Sequence, residues 1–259
     1  MRLHRIWLPG ARKGRSYELD AKESHHLITV MRRAEGDEVI VIAGGDRVCH
    51  GVIESVDRQG EAPLVQVRVG DDYCDEAPVL KPWMVGVSVV KDRNIELSIR
   101  MLSQLGLEGI VPLVSERGQI SLAAGSGKMD RWRRIAMESA KQCGRSSLLD
   151  IREPCSIEDL LDQEAARDVW IAHPGGLQPS WSDFLGSDGL SSALFLVGPE
   201  GGFSTAEIDL CTSRGARLAG FPVPIMRTPV AVMFIGALGA LVEMSRQAPP
   251  SGSDALNSC

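Results

Sequence analysis

The stretch "LFLVGPEGGFSTAEI", residues 194–208, decides how the second half of the chain is read. An apolar run ends at Gly198-Pro199, a single carboxylate follows at Glu200, and Gly201-Gly202 lead into a helix start. An unbroken apolar run predicts a strand buried on both faces, as in a parallel sheet. Ser204 is a good N-cap, Glu207 three residues on completes a capping box, and Phe203 is placed to pack on Ile208 as a staple. The helix start is therefore specified locally. Gly198–Gly202 become a loop at the carboxyl end of a buried strand, where glycines permit positive φ and a close approach of ligand to backbone. A turn that only joins strand to helix accounts for the glycines but leaves Glu200 unexplained.

A second segment completes the same region. "FPVPIMRTPVAVMFIGALGALVEM", residues 221–244, opens with two spaced prolines and so reads as rigid and extended. Thr228 is the expected N-cap and Pro229 the first helical residue, where its missing N–H does no harm. The helix beyond is apolar nearly all round, which predicts burial. Gly236, Ala237, Gly239 and Ala240 would let another helix approach closely. Arg227 stands alone in this apolar context, and a buried arginine needs a partner or a ligand. The partner would be a structural salt bridge, with Glu200 as the candidate.

Upstream, the grammar alternates. "WMVGVSVV", "EGIVPLVS" and "DVWIAHP" read as buried strands. "DRNIELSIRMLSQLG" places Ile95, Ile99, Leu102 and Leu105 at helical spacing and stops at Gly106. "DRWRRIAMESAKQCGR" gathers Trp132, Ile135, Ala136, Ser139, Ala140 and Cys143 on one helical face. Strand and helix alternation predicts an α/β domain with a parallel sheet, whose ligands sit at the carboxyl ends of strands.

The first third is different. "DEVIVIAGGDRVCHGVIESVD" reads as a hairpin turning at Gly44-Gly45, and "PLVQVRVGD" as an alternating strand. "SHHLITVMRRAEGDEV" reads as a short helix closed by Gly36. Several short strands and one helix predict a compact barrel of about 70 residues. The boundary falls in the acidic, proline-bearing "DDYCDEAPVLKP" (71–82), giving domains at 1–72 and 73–248, with a disordered tail at 249–259.

Composition bounds the function. The chain has 259 residues, 44% hydrophobic and 24% charged, an ordinary globular balance. No apolar run in the sequence approaches the roughly 18–20 residues of a membrane span, and the N-terminus lacks a signal-like stretch. Six scattered cysteines without a Cys-x-x-Cys pair argue against a zinc site or a disulfide framework and point to a reduced, cytoplasmic setting. No metal is expected. The net charge is −6. Residues 1–33 nevertheless hold eight basic residues against three acidic ones, a local +5. Phosphate attraction follows such local patches; a solvated basic surface reads equally well.

Other motifs are weak. "GSGK" (125–128) lacks phosphate-loop spacing and reads as a flexible loop. His25-His26 have no third ligand. His173 ends a strand, either lining a pocket or serving as a turn residue. Arg131, Arg133 and Arg134 flank Trp132 and either touch RNA or are solvated. No nucleophile elbow is present.

Taken in order, "HHLITVMRRAEGDEV", "VKDRNIELSIRMLSQLGLEGIVPLVSERG", "RWRRIAMESAKQCGR", "LVGPEGGFSTAEI" and "MRTPVAV" resemble the bacterial 16S ribosomal RNA uridine-N3 methyltransferase E family, from about residue 3 to 246. The resemblance implies an N-terminal PUA-like β-barrel, a C-terminal SPOUT domain closing in a trefoil knot, S-adenosylmethionine as cofactor, 16S rRNA or the small ribosomal subunit as partner, and a homodimer. Chain knots are otherwise rare, so pattern alone would not have suggested one. The cofactor walls would be Val197-Gly198-Pro199-Glu200-Gly201-Gly202, Leu218-Ala219-Gly220 and Ile225-Met226-Arg227-Thr228, with Ala172-His173 and Ala231 beside them. RNA contacts are expected from Arg5, Arg12, Lys13, Arg15, His25, Arg32, Arg33 and Arg145. Where the family reads Leu-Arg-Thr-Glu-Thr-Ala, this chain has Met226-Arg227-Thr228-Pro229-Val230-Ala231, and a polar contact at that helix start is absent.

The implied chemistry sets demands. Uridine N3 is a poor nucleophile until its proton leaves, and it lies on the pairing edge, so the base must leave its stack or pair. The imide anion spreads charge to O2 and O4, which a fixed arginine stabilises. Arg227 is the candidate, with Arg93 entering from the upstream helix. Glu200 is the candidate proton acceptor, or it orients an arginine. The same fold acting on another RNA, or an RNA-binding relative without catalysis, remain alternative readings.

Overall fold

The structure, a computed structural model, describes residues 3–44, 47–60, 62–73, 81–88, 91–119, 126–179 and 192–247. Gly45, most of the 71–82 boundary, Gly125 and the 249–259 tail lie outside the described residues. The chain divides into two compact units, residues 1–78 with 136–148, and residues 79–135 with 149–259.

The first unit is built on a five-stranded sheet of order β1-β3-β4-β5-β2, with β1 at His4–Trp7, β2 at Ser16–Glu18, β3 at Glu38–Gly44, β4 at Arg47–Asp57 and β5 at Leu64–Asp72. β1 runs parallel to β3 and the other pairs are antiparallel. The β3–β4 hairpin turns where the sequence places it, with Gly44 at φ 83 opposite Arg47. Strict alternation in β5 buries Val65, Val67 and Val69 against Ile6, Val39, Val41 and Ile53 and leaves Gln66 and Arg68 outside.

Helix α1 (Ala21–His25) starts at Asp20, whose side chain accepts from the Glu23 N–H at 2.7 Å. It continues as one wider turn over His26–Val30 and stops there, because Arg32 adopts φ 55. The expected closure at Gly36 is therefore five to six residues too late; Gly36, at φ 87, belongs to the next turn.

Residues 136–148 join this unit, although the sequence reading kept them in the second domain. Lys141 and His4 both bond Glu23, Lys22 pairs with Glu138 at 3.1 Å, and the Arg5 guanidinium lies against Gly144 at φ 87, where a Cβ would fall 2.9 Å from Cζ.

The second unit carries an all-parallel sheet of order β12-β10-β11-β6-β7-β8, with β9 beside β7. Its strands are β6 (Lys81–Val87), β7 (Leu107–Val114), β8 (Asp150–Ile151), β9 (Cys155–Ser156), β10 (Asp168–Leu177), β11 (Ala193–Val197) and β12 (Arg217–Ala219). Its helices are α2 (Asp92–Gln104), α3 (Ser126–Cys143, shared with the first unit), α4 (Ile157–Gln163), α5 (Thr205–Ser213) and α6 (Thr228–Gln247). β11 is buried along its whole length, as its unbroken apolar run requires. Ser126–Lys128 form the first turn of α3 instead of the loop expected for "GSGK".

α6 corrects two expectations. By length and composition it is apolar enough to cross a bilayer, yet half of that stretch is buried, packed on α2, β6 and β11. It is not buried all round either. Val232, Ile235, Leu238 and Val242 face the core, while Val230, Met233, Leu241 and Met244 are 43–67% exposed. At Gly236 the end of α2 comes close, since a Cβ there would stand 2.6 Å from Cδ1 of its C-cap residue Leu105.

Candidate functional site

Register aligns the ends of β11 and β12 with the middle of β10, which runs on to Leu177, so His173 lies within its strand instead of ending it as expected. Ala172 of β10 lies between Val197 of β11 and Ala219 of β12. The segments leaving those residues meet at the carboxyl edge of the sheet, which is where open α/β sheets bind ligands.

Beyond β11 the chain makes a tight turn. The Gly202 N–H donates to the Pro199 carbonyl at 2.8 Å, and Gly202 has φ 68, a conformation that favours glycine. A Cβ on Gly198 would stand 3.1 Å from the Phe203 nitrogen, so the loop has little room for one there. The capping box forms as expected. The Glu207 N–H donates to Ser204 Oγ at 3.3 Å, and Glu207 Oε2 accepts the Ser204 N–H at 2.7 Å. Phe203 is buried in one cluster with Ile208 packed against it.

The second wall begins at Arg227, whose carbonyl accepts the Ala231 N–H at 3.0 Å and so opens α6. That makes Thr228 the first helical residue and Pro229 the second, so the helix starts one residue earlier than the sequence suggests. The Thr228 hydroxyl does not cap the helix. It is buried and donates to the Gly198 carbonyl at 3.1 Å, tying the two segments together.

A pocket of about 110 Å³ opens at this edge. Ala172, His173 and Pro174 line it from β10, and Ala219 lines it from β12. Phe221, Val223, Pro224, Ile225 and Met226 form the rim leading to Ala231 of α6. Its floor is backed by a glycine crossing. The Gly220 N–H donates to the Leu177 carbonyl at 2.9 Å, and a Cβ on Gly176 would fall 2.7 Å from the Gly220 nitrogen. His173 Nδ1 accepts the Gly175 N–H at 3.0 Å, which leaves the ring proton on Nε2.

The pocket thus gathers Ala172, His173, Ala219, Ile225, Met226 and Ala231 from the sequence candidates. Val197, Gly198, Pro199, Glu200, Gly201, Gly202, Leu218, Gly220, Arg227 and Thr228 do not line it; the loop connects to it through Thr228. Pro174, Phe221, Val223 and Pro224 were missed, although the paired prolines of "FPVPIM" already marked a rigid apolar rim.

The charged candidates differ from expectation. Arg227 is exposed and, among the described residues, has no ion-pair partner, so the proposed bridge to Glu200 is absent. An apolar stretch of sequence is not a buried one when prolines hold it extended over the surface. Glu200 is exposed and accepts from Asn94 Nδ2 at 3.2 Å. Arg93, next to Asn94 at the start of α2, is exposed.

In the first unit Arg12, Lys13, Arg15, His25 and Arg32 are exposed, with Lys13 paired to Asp71. Arg33 is largely covered and faces Asp37 at 3.9 Å. Arg5 and Arg145 are 8% and 2% exposed, so neither presents a guanidinium to solvent, correcting the expectation of RNA contacts there. In the second unit Arg131 pairs with Glu96 at 2.8 Å, Arg133 pairs with Glu153 at 3.3 Å, and Trp132 is buried, which takes its ring out of reach of RNA.

With this geometry in place, a family profile for the RNA methyltransferase domain matches residues 77–239, and one for the RNA methyltransferase PUA domain matches residues 19–60. The chain belongs to this family of RNA methyltransferases. A relative in Bacillus subtilis (strain 168), named ribosomal RNA small subunit methyltransferase E, is 25% identical over 242 residues, spanning 89% of this chain and 92% of the relative. A Legionella pneumophila methyltransferase solved with bound SAM is 26% identical, with a TM-score of 0.78 over 93% of this chain and 98% of that one. A small subunit methyltransferase E from Neisseria gonorrhoeae, bound to S-adenosyl methionine, shares the fold at 17% identity, with a TM-score of 0.78 over 92% and 96% of the two chains.

Proposed function

We propose that this protein is an S-adenosylmethionine-dependent methyltransferase that methylates N3 of a uridine in the 16S RNA of the small ribosomal subunit. The observation that carries the reading is the pocket at the carboxyl edge of β10 and β12, tied by Thr228 to the glycine loop after β11. Its small and apolar lining, with a glycine crossing behind it, suits an adenosyl group recognised mainly through backbone groups, and the His173 Nε2–H adds one side-chain donor. Ala172, His173, Ile225, Met226 and Ala231 would hold it. S-adenosylmethionine, when bound, supplies the methyl group from a sulfonium.

The chain's own residues then act on the base. Arg227, exposed and without a protein partner among the described residues, is free to meet the O2 or O4 charge that grows as N3 loses its proton. Glu200 has one oxygen on Asn94 and the other available as proton acceptor. Arg93 stands nearby in sequence to steer phosphate. In this reading residues 1–72 form a PUA-like barrel offering Arg12, Lys13, Arg15, His25 and Arg32 to RNA, while Arg33 is too covered to take part; residues 73–248 form the SPOUT domain with its trefoil knot, and the protein works in the cytoplasm as a homodimer. The exposed apolar stripe on α6 supports a dimer surface.

Mass mapping of 16S rRNA from a deletion strain tests the target. One uridine loses a methyl group if the reading holds, and an unchanged map refutes it. Val230, 43% exposed where the family carries a polar residue, favours testing other RNAs from the same strain as the second reading.

A further inference from the structure

The glycine loop is held by more of the fold than the pocket requires. Asn94 of α2 donates to the Glu200 carboxylate at 3.2 Å. Arg117, just beyond β7, donates from Nη1 to the Gly201 carbonyl at 2.7 Å. The neighbouring Glu116 N–H donates at 2.8 Å to Glu207 Oε1, while the other oxygen of that carboxylate completes the capping box of α5. Three separate segments therefore grip one five-residue turn, counting Thr228 on the Gly198 carbonyl.

We infer that Asn94 and Arg117 are positioning residues that lock the Gly198–Gly202 turn in one conformation. Two physical reasons carry this. A turn with three glycines in five residues loses more backbone freedom on ordering than one of ordinary residues, so external bonds help to hold it still. A carboxylate on such a turn can point in many directions, and an amide donor from a rigid helix selects one. Arg117 does the same for the peptide following Glu200, because its guanidinium fixes the direction of the Gly201 carbonyl. Neither residue lines the pocket, so each acts through the loop.

This inference rests on the cofactor reading above, and the experiment separates the two. Asn94→Ala, Arg117→Ala and Arg117→Lys are compared with the wild-type chain, with Arg214→Ala, an exposed ion-paired arginine at the C-cap of α5, as control. Binding of S-adenosylhomocysteine is read by calorimetry and amide hydrogen exchange over residues 198–203 by mass spectrometry. The turn does not line the pocket but bonds Thr228 beside it, and a displacement of about 1 Å passed on from outside a site can cost up to a hundredfold, so each alanine variant is expected to weaken binding by about tenfold. Exchange in the turn accelerates, the melting temperature holds, and Arg117→Lys recovers most of the affinity. Wild-type affinity and wild-type exchange in both alanine variants would overturn the inference. If the wild-type chain itself binds no S-adenosylhomocysteine, the cofactor reading fails, and exchange in the turn still decides whether the two residues lock it.

Discussion

At the residue scale, the informative positions are those where side chains are absent or unpaired. Gly220 has the Gly176 backbone where its own Cβ would be. Gly220→Ala must push two backbones apart behind the pocket. Overpacking of this kind costs about 1–3 kcal/mol, which denaturant unfolding will read, and S-adenosylhomocysteine binding should fall with it. Arg227 behaves in the opposite way. It is exposed and holds nothing among the described residues, so Arg227→Ala should leave the melting temperature unchanged. Single-turnover methyl transfer should nevertheless drop by about a hundredfold or more, the usual cost of removing a charge-stabilising donor. A variant that kept its rate would remove Arg227 from the chemistry. Sequence could name Arg227 but not its environment, because apolar neighbours along the chain say nothing about neighbours in space.

At the element scale, what periodicity expresses strongly was legible. The runs of β6, β7, β10 and β11 and the Ser204 capping box announced themselves. β12 and α4 did not, since three residues and seven residues carry too little pattern to stand out. The start of α6 was off by one residue because a threonine before proline looks like a cap, whereas tertiary structure turns its hydroxyl to the Gly198 carbonyl. Thr228→Val keeps the shape and removes that donor. It should destabilise the protein by about 1 kcal/mol in urea unfolding, because the half-buried Gly198 carbonyl loses its partner.

The junction of α1 with the end of α3 gives a pH prediction. Burial pushes the Glu23 carboxyl up, but hydrogen bonds from His4 and Lys141, with the Lys141 charge, outweigh it and bring the pKa from 4.5 to about 2. A depressed carboxylate stabilises the fold above its unfolded value and loses that contribution as pH falls through the folded one. Acid titration of stability should therefore show a component lost between about pH 4.5 and 2, absent in Glu23→Gln.

At the scale of the whole molecule, the proposal assigns charge and apolar surface to two kinds of partner. The exposed cations Arg12, Lys13, Arg15 and Arg32 lie on the first unit of a chain whose net charge is −6. The apolar stripe of Val230, Met233, Leu241 and Met244 lies on α6 of the second. Leu241→Glu places a charge in that stripe. The proposed homodimer predicts that sedimentation moves from dimer to monomer, and a dimer unchanged by the substitution would exclude α6 as the interface. The central claim is methyl transfer to one uridine, and its most direct measurement is mass mapping of 16S rRNA from a deletion strain complemented with the wild-type or the Arg227→Ala gene. The account predicts one N3-methyluridine lost on deletion, restored by the wild-type chain and not by Arg227→Ala. A methylation map identical in all of these strains would contradict it.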